Sequence, residues 1–434
     1  MPQPLAQSDT SLVHKAPTST FLASNAILWT GMMVNNGLTY VTQVLVVRLL
    51  GQQEFGVFAS LISLLYLLLL PAAGLQTVVA RKVAELQAAP SPQTVDSHVR
   101  LWIKLAFIVG TAMALLVIAV SPWLASFLHL DSAWVIVLMA PAGLVGTLLP
   151  AARGFLQGSE KFPFLSANLG LEGLCRLLFT LGLAYLAASA AAAAIGYGLA
   201  SLGPLLVLLP MLRRMRGDAA ATESLDAMTW VIIISSTVLI VLPNLDVLFA
   251  RHFLSATDAG SYAGAVILGR VIIFAASTVP MVMIPLVIRR VEARAPALRL
   301  FVWSFGLTLL IAGAVLLLPV MWPSEVISLL YGPQFSISVS LLITYGVSMV
   351  LYSLVNLCAS LLFAFSYRRV AWVMVAAVFL ETALVLIFHA RPIDIAADML
   401  VAQACTLAWL LFEIVRNNRD LLFGRRAEAS AVGA

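Results

Sequence analysis

Residues 47–59 read VRLLGQQEFGVFA, and residues 250–263 read ARHFLSATDAGSYA. In each window an arginine closes an apolar stretch, a short acidic loop follows, and a Gly–x–aromatic–Ala sequence opens the next apolar stretch. The second stretch of each pair then runs into two basic residues, Arg81-Lys82 and Arg289-Arg290. Because the windows occupy equivalent places in the two halves of the chain, we interpret them as an internal repeat.

Twelve apolar stretches surround these windows, and each approaches or exceeds the roughly 20 residues that cross a hydrocarbon core about 30 Å thick. The windows join stretches 1 to 2 and 7 to 8, so six stretches separate the copies. Since six is even, both copies run in the same direction, which predicts a parallel repeat about an axis along the membrane normal. The stretches are 21–47, 57–79, 101–128, 132–155, 163–187, 188–212, 227–250, 259–288, 301–321, 336–364, 370–390 and 395–415.

Basic residues fall almost entirely in every second connection between these stretches. Cytoplasmic loops collect Lys and Arg, so the pattern predicts an even number of spans with both termini in the cytoplasm. The opposite set of connections holds Arg48, Arg251 and Arg391. The basic set consists of Lys15, Arg81, Lys82, Arg100, Lys104, Arg153, Lys161, Arg213, Arg214, Arg216, Arg289, Arg290, Arg294, Arg299, Arg368, Arg369, Arg416, Arg419, Arg425 and Arg426.

The predicted fold is an all-α polytopic membrane protein of twelve transmembrane helices in two parallel-repeat six-helix lobes. The segments are a disordered cytoplasmic tail (1–20), an N-terminal lobe (21–213), a cytoplasmic linker (214–226), a C-terminal lobe (227–415) and a second tail (416–434). The chain is 62% hydrophobic and 10% charged, which excludes a soluble globule.

Composition also narrows the function. The connections are too short for an extramembrane catalytic domain, which argues against a membrane glycosyltransferase or polymerase. The net charge of +5 fits loop arginines that meet anionic lipid headgroups and does not indicate nucleic-acid binding. All three cysteines lie in predicted spans without a CxxC spacing, so the sequence predicts neither a disulfide framework nor a zinc site. We expect no enzyme activity and no cofactor.

We single out five ionisable residues inside predicted spans: Glu172, Arg176, Asp246, Arg270 and Glu381. An intramembrane charge costs about 2.5–3.5 kcal/mol and normally faces a partner or a cavity. Glu172 and Arg176 have i, i+4 spacing, so they form either a self-neutralised ion pair or a coupling site. We expect Asp246 and Arg270, on consecutive spans, to be counter-ions. Glu381 is either protonated in the bilayer or bonded to Gln403.

Uncharged polar residues mark the first span of each half. Asn36 and Gln43 belong to a polar set on span 1, and Asn244 lies on span 7. Such residues often form hydrogen bonds between helices, whereas several on one helix favour a surface in contact with water.

Five motifs, in order along the chain, resemble the polysaccharide-transporter (oligosaccharide flippase) family of the multidrug/oligosaccharidyl-lipid/polysaccharide exporter superfamily. The resemblance covers residues 21–415. The motifs are Arg48-Leu49-Leu50-Gly51 with Glu54-Phe55-Gly56, residues 153–158 (RGFLQG), 244–248 (NLDVL), 259–263 (AGSYA) and 329–335 (LLYGPQF).

The resemblance implies a V-shaped molecule in which the first two helices of each lobe line a central cavity. It implies a flippase that moves a polyprenyl-diphosphate-linked oligosaccharide from the inner to the outer leaflet of the bacterial plasma membrane, beside glycosyltransferases and a polymerase. Arg270 is the first candidate for the diphosphate, because guanidinium groups match phosphate oxygens bidentately. Arg48 and Arg251 either receive the diphosphate at the outer side or snorkel at helix ends. Asp246 is the candidate for ion or proton coupling, or holds Arg270 between substrates.

Three rival functions follow from the same residues. A cation-coupled multidrug exporter of the same superfamily needs acidic residues on cavity helices, and spans 1, 2 and 8 carry none. A scaffold of a polysaccharide synthesis complex has no evident use for Arg270 in the bilayer. A membrane enzyme needs clustered catalytic residues, whereas the five histidines are scattered along the chain.

Overall fold

A computed structural model describes residues 18–69, 74–87, 92–214, 227–292, 295–332, 335–365 and 367–417. Over these ranges the chain forms sixteen helices. The predicted linker and tails lie outside the described residues, apart from 18–20, 214 and 416–417, which extend α1, α8 and α16. The helices are α1 (Thr18–Leu50), α2 (Gln52–Leu68), α3 (Leu75–Gln87), α4 (Pro92–Phe127), α5 (Trp134–Gly158), α6 (Phe162–Ala187), α7 (Ala190–Leu199), α8 (Leu202–Arg214), α9 (Ala227–Phe253), α10 (Ala256–Ala276), α11 (Thr278–Glu292), α12 (Leu298–Met321), α13 (Pro323–Tyr331), α14 (Val339–Ala364), α15 (Val370–Ile387) and α16 (Pro392–Asn417).

Ten helical segments of the described chain are long and apolar enough to cross a membrane, so this is a multi-pass membrane protein. Two of them join consecutive helices: Ala190–Arg213 combines α7 with α8, and Ala256–Ile284 combines α10 with α11. The first two of the twelve predicted spans are not among the ten. Helix α1 has 33 residues, but its asparagine, threonine and glutamine residues lower its hydropathy. The second predicted span consists of two shorter helices, α2 and α3.

Most helix contacts stay within the N-terminal half (residues 18–214) or the C-terminal half (residues 227–417). In the first, α1 packs along α6, and α5 packs on α3 and α4. In the second, α14 packs on α10, α12 and α16, while α15 packs on α9 and α16. Small residues permit this closeness: a Cβ on Gly154 of α5 would lie 2.7 Å from the Cβ of Val79 on α3. The halves meet chiefly where α2 packs on α9 and α10.

We use the term turn end for the end of the molecule where α1 meets α2 at Gly51 and α9 meets α10 at residues 254–255. Gly51 has a φ of 79°, which is accessible to glycine at little cost. Helix α10 begins after Ser255, whose hydroxyl accepts a hydrogen bond from the Asp258 N–H at 3.1 Å, as is usual for an N-cap serine.

The backbones of α2 and α10 touch near the turn end. A Cβ on Gly56 would lie 2.9 Å from the Gly260 nitrogen, and a Cβ on Gly260 would lie 2.2 Å from the Gln52 carbonyl oxygen. The Gln52 side chain also donates to the Ser261 hydroxyl at 2.7 Å and accepts from the Ser336 N–H at 3.1 Å. These contacts join the two halves of the chain, and larger side chains would separate the helices.

Helix α9 is kinked at Pro243, which has a φ of −87° and a ψ of 18°. Proline has no N–H, so it cannot bond to the carbonyl four residues earlier. The Tyr352 hydroxyl of α14 donates to that carbonyl, on Leu239, at 2.5 Å. The Asn244 side-chain amide donates to the next carbonyl, on Ile240, at 2.8 Å. Side chains thus provide hydrogen bonds to the backbone carbonyls at the kink. The kink also sets the orientation of the residues that follow it.

Candidate functional site

Arg270 lies on α10 between the two halves of the chain. It is about midway along the 29-residue segment Ala256–Ile284. Its Nη2 donates to Asn244 Oδ1 on α9 at 3.1 Å, and its guanidinium carbon lies 5.5 Å from the centre of the Tyr66 ring on α2. None of the described residues bonds to its Nε or Nη1, so these donors are available to a ligand.

A second guanidinium lies on the other side of a tyrosine pair. Arg176 on α6 lies 4.6 Å from the centre of the Tyr197 ring on α7. The hydroxyls of Tyr66 and Tyr197 are 2.7 Å apart and share a hydrogen bond. The order Arg270–Tyr66–Tyr197–Arg176 therefore runs from the C-terminal half into the N-terminal half. We call these four residues the arginine cluster, in which each cation faces the electron-rich face of a ring.

Glu172 balances part of the charge beside this cluster. It accepts from Arg176 Nη2 at 2.6 Å and from Arg153 Nη1 at 2.7 Å, and Ser201 donates to it at 3.1 Å. Arg153 also donates to Asn168 Oδ1 at 2.8 Å. Arg153 and Arg176 thus share one carboxylate, and Arg270 adds a guanidinium group that forms no direct ion pair among the described residues.

The sequence predicted the Glu172–Arg176 pair but placed Arg153 in a connection between spans, which is wrong. Helix α5 continues to Gly158 and buries Arg153, which is 6% exposed. An arginine five residues before the end of a helix can extend its side chain back into the bilayer interior. The position of Arg153 near the end of a predicted span was the feature of the sequence that could have indicated its burial.

Helix α1 reaches the arginine cluster through Thr39, whose hydroxyl accepts from Arg176 Nη1 at 2.7 Å. Asn36 and Gln43 lie three residues before and four residues after it, so they share the same face of α1. Gln43 is buried and Asn36 is half-buried. Among the described residues, neither side chain bonds to an arginine of the cluster, so the polar face adjoins the site without closing it.

A separate group of polar residues, which we call the acidic cluster, lies inside the C-terminal half. Asp246 is fully buried and accepts from the Tyr262 hydroxyl at 2.7 Å, while that hydroxyl also lies 3.3 Å from the Met399 sulfur. Glu381 and Gln403 are buried as well. The second Asp246 oxygen, both Glu381 oxygens and the Gln403 amide have no hydrogen-bond partner among the described residues.

Asp246 and Arg270 form no direct ion pair, since Arg270 bonds to Asn244 instead, although the Arg270 charge still acts on Asp246. Residues two apart on a helix point in nearly opposite directions, so Asn244 meets Arg270 while Asp246 meets Tyr262. Of the two alternatives for Glu381, the bond to Gln403 is not formed in the described chain.

The two arginines of the repeated windows make reciprocal contacts across the turn end. Arg48, on α1, donates to the carbonyls of Leu329 and Leu330 near the end of α13. Arg251, on α9, donates to the carbonyl of Leu128 at 3.0 Å and to that of His129 at 3.3 Å, just past α4. Each arginine thus holds the other half of the chain, which is more than the snorkelling expected of a helix-end arginine.

An apolar cavity of about 200 Å³ adjoins the arginine cluster. Helix α10 contributes lining residues that flank Arg270 in the sequence and lie on the opposite face of the helix. Tyr40 of α1 contributes across the seam between the halves. The lining residues are Tyr40, Leu268, Gly269, Val271, Ile272, Val315, Leu316, Leu318, Pro319, Val326, Leu329, Leu330, Leu342 and Gly346.

The sequence matches one family model, described as polysaccharide biosynthesis protein, over residues 21–291. This range includes the N-terminal half and α9 to α11, and therefore the whole arginine cluster. No curated protein sequence matches the chain significantly.

Solved transporter structures share the fold. An inward-facing multidrug resistance MATE family transporter of the MOP superfamily has a TM-score of 0.70 at 14% identity, covering 91% of this chain and 99% of its own. The lipid II flippase MurJ, in an inward closed conformation, has a TM-score of 0.70 at 12% identity, covering 92% and 90%. An outward-facing MATE transporter has a TM-score of 0.65 at 14% identity, covering 96% and 100%.

Proposed function

Since the chain belongs to the polysaccharide biosynthesis protein family, we propose that it is a flippase of the bacterial plasma membrane. Its substrate is a polyprenyl-diphosphate-linked oligosaccharide, which it moves from the inner to the outer leaflet. The fold that it shares with transporters and a lipid II flippase supports a transport role.

The arginine cluster carries this proposal. A diphosphate ester bears two negative charges, and the cluster supplies two guanidinium groups, of which, among the described residues, only that of Arg176 forms a direct ion pair with a carboxylate. The open Nε and Nη1 donors of Arg270 form the fork that binds phosphate oxygens bidentately. A site of this charge at mid-depth stabilises a headgroup that would otherwise cross hydrocarbon unpaired.

Internal symmetry supports two six-span lobes, 21–213 and 227–415, around a V-shaped cavity. Gly56 and Gly260 occupy equivalent places in the repeated windows and touch each other. Arg48 and Arg251 make reciprocal contacts with the opposite half. Both features are expected when a two-fold axis along the membrane normal passes between α2 and α10. Helix α1 and the α2–α3 pair are then the first two of twelve spans.

The turn end faces outward and both termini face the cytoplasm, in accord with the distribution of Lys and Arg. The contacts of Gln52, Arg48 and Arg251 close the outer end. At the other end, α3 and α11 pack mainly on helices of their own halves. We infer from these contacts that the outer end is closed in this state.

The apolar cavity beside Arg270 accommodates part of the polyprenyl tail. It lies on the far side of α10 from the guanidinium, so a tail that leaves the diphosphate through the α1–α10 seam enters it. Because the tail would come from lipid and not from water, the cavity would position the chain and add little hydrophobic free energy.

Asp246 and Glu381 are the proposed coupling groups. Among the described residues, no ion pair includes either carboxylate, so a proton or a monovalent cation would neutralise them. Glu172 has a structural role in this scheme, since it positions Arg153 and Arg176 beside the cavity. Glycosyltransferases and a polymerase of a polysaccharide pathway are the proposed partners.

A cation-coupled multidrug exporter of the same superfamily is the alternative. It would present carboxylates to a cationic drug, whereas the charge between the halves is positive. The buried carboxylates of the acidic cluster lie inside one half instead.

Direct binding distinguishes these functions. Purified protein in nanodiscs is titrated with undecaprenyl diphosphate, and binding is followed by native mass spectrometry. Arg270→Ala is expected to weaken binding at least tenfold, and Arg270→Lys less. Arg299→Ala, an exposed arginine of α12, is the control and is expected to bind like wild type. Equal binding by Arg270→Ala, or preferential binding of a lipophilic cation, would contradict the proposal.

A further inference from the structure

A second cavity opens at the turn end, away from the arginine cluster. It has a volume of about 460 Å³ and lies at the connection between α15 and α16. Its lining consists of Ile387, Phe388, His389, Ala390, Asp394, Ala397 and Asp398. The polar members are one histidine and two aspartates, which differ in their surroundings.

Asp398 is the carboxylate that lacks a partner. It is 6% exposed, and its buried Oδ2 has no hydrogen-bond partner among the described residues. Asp394, in contrast, pairs with Arg391 at 2.8 Å and also accepts from the Arg391 N–H at 3.0 Å. A buried, unpartnered carboxyl in the wall of an open cavity indicates a bound positive charge.

His389 lies beside this carboxyl. Its Nδ1 is 3.0 Å from the Val385 carbonyl oxygen, and a carbonyl can only accept, so Nδ1 carries the hydrogen. Its Nε2 forms no hydrogen bond among the described residues, so this nitrogen is available at the cavity. The ring also stacks on Phe253 of α9 at 3.9 Å, which holds it at the cavity.

The cavity leads toward the acidic cluster. Asp398 lies six residues into α16 and Glu381 six residues before the end of α15, so each is about 9 Å from the turn end. Asp246 lies seven residues before the end of α9, or about 10 Å. Met399, next to Asp398, contacts the Tyr262 hydroxyl that donates to Asp246. Three carboxylates on three mutually packed helices thus share one depth.

We propose that this cavity is the outer mouth of a proton path in which His389 and Asp398 deliver protons to Asp246 and Glu381. The inference depends on the proposed coupling role of those two carboxylates. A proton from outer water binds Nε2 of His389 or a carboxylate oxygen of Asp398, passes to the acidic cluster, and leaves on the cytoplasmic side when the lobes exchange access. Only N–H and O–H bonds form and break.

The surrounding groups favour a proton over a metal ion. The charged groups at the mouth are Asp394 and Arg391, which neutralise each other. Facing inward are Asp246 from α9, Tyr262 from α10, Tyr345 from α14 and Glu381 from α15. Within the described ranges, no three His, Cys, Asp or Glu residues are arranged to hold a metal ion.

The test compares Asp398→Asn, His389→Gln and the control Glu325→Gln, which changes an exposed carboxylate of α13 outside the cavity, for surface glycan export at external pH 5.5 to 8. Wild type and the control are expected to export less as the pH rises, because fewer protons are available to drive transport. Asp398→Asn is expected to export at least fivefold less at pH 5.5 and to lose the pH dependence, with His389→Gln in between. Asp398→Glu keeps a titratable group and is expected to retain the pH dependence of export. This variant provides the test if Asp398→Asn does not fold.

The outcomes separate this inference from the proposed function. An unchanged pH profile in Asp398→Asn, or a flat one in Asp398→Glu, would overturn the path and leave the flippase proposal intact. Export by wild type that ignores pH would overturn the path as well. Normal binding of undecaprenyl diphosphate by purified Asp398→Asn would support it, since the loss then concerns the driving proton and not the substrate.

Discussion

Asn244 and Asp246 lie on the same turn of α9, yet they serve different sites. Asn244 bonds to Arg270 between the halves, and Asp246 bonds to Tyr262 inside one half. The sequence identified the charged residues of both sites because a charge within an apolar stretch is conspicuous. It did not predict their partners, because these depend on helix rotation and on the kink at Pro243, which are set by packing against α14.

Glu172→Gln is expected to destabilise the protein strongly. It leaves the buried guanidinium groups of Arg153 and Arg176 without their shared counter-charge, and removal of one member of a buried ion pair costs about 3–5 kcal/mol. Thermal unfolding in detergent, followed by size-exclusion chromatography, measures the effect. The control is Arg391→Gln, which breaks an exposed pair with Asp394 and is expected to leave the melting temperature near that of wild type. Equal melting temperatures for Glu172→Gln and wild type would argue against a buried network.

Tyr66 is expected to position Arg270 through its ring. A cation–π contact contributes about 0.5–2 kcal/mol, so Tyr66→Ala should weaken undecaprenyl diphosphate binding about 2- to 30-fold. Tyr66→Phe keeps the ring and loses only the hydroxyl bond to Tyr197, so it should restore most of the affinity. If phenylalanine and alanine weakened binding equally, the hydroxyl and not the ring would be responsible.

Helices α2 and α10 show which features of secondary structure a repeated sequence pattern can predict. The repeated windows identified both helices and their equivalent positions. They did not predict that Gly56 and Gly260 touch each other, because contact across a symmetry axis depends on how the halves are docked. The sequence predicted the polar set on α1 but not that Thr39 of this helix bonds to Arg176.

Gly260→Val is expected to separate α2 from α10 and open the outer end. A Cβ at this position would lie 2.2 Å from the Gln52 carbonyl oxygen, and backbone cannot yield as a flexible side chain does. In a background without natural cysteines, Ser336→Cys should then react faster with a membrane-impermeant maleimide added outside. The control is Gly306→Val in α12, where a Cβ meets no atom within 4 Å. Equal labelling in both variants would contradict a closed outer end.

Ten membrane-crossing segments of the described chain could be predicted from apolar length, since this length follows from the thickness of a bilayer. The contacts between the halves could not, because they require the relative position of helices far apart in sequence. The reciprocal contacts of Arg48 and Arg251 are of this kind: each arginine was identified, but its carbonyl partners in the other half were not.

Alternating access predicts that the outer contacts must break during each cycle. Cross-linking of Gln52→Cys to Ser261→Cys with a short bifunctional thiol reagent is expected to stop glycan export, because the two side chains meet at 2.7 Å in the closed outer end. Each single cysteine variant, treated in the same way, should export normally. Export that persists in the fully cross-linked protein would rule out opening at this end.

A flipping assay in vesicles measures whether Arg270 stabilises a diphosphate headgroup partway across the membrane. Reconstituted protein is given a polyprenyl diphosphate that bears one fluorescent sugar, and arrival in the opposite leaflet is measured by quenching from one side. Wild type and Arg299→Ala are expected to flip the lipid at the same rate, Arg270→Lys more slowly, and Arg270→Ala no faster than empty vesicles. A wild-type rate in Arg270→Ala would contradict this role of Arg270.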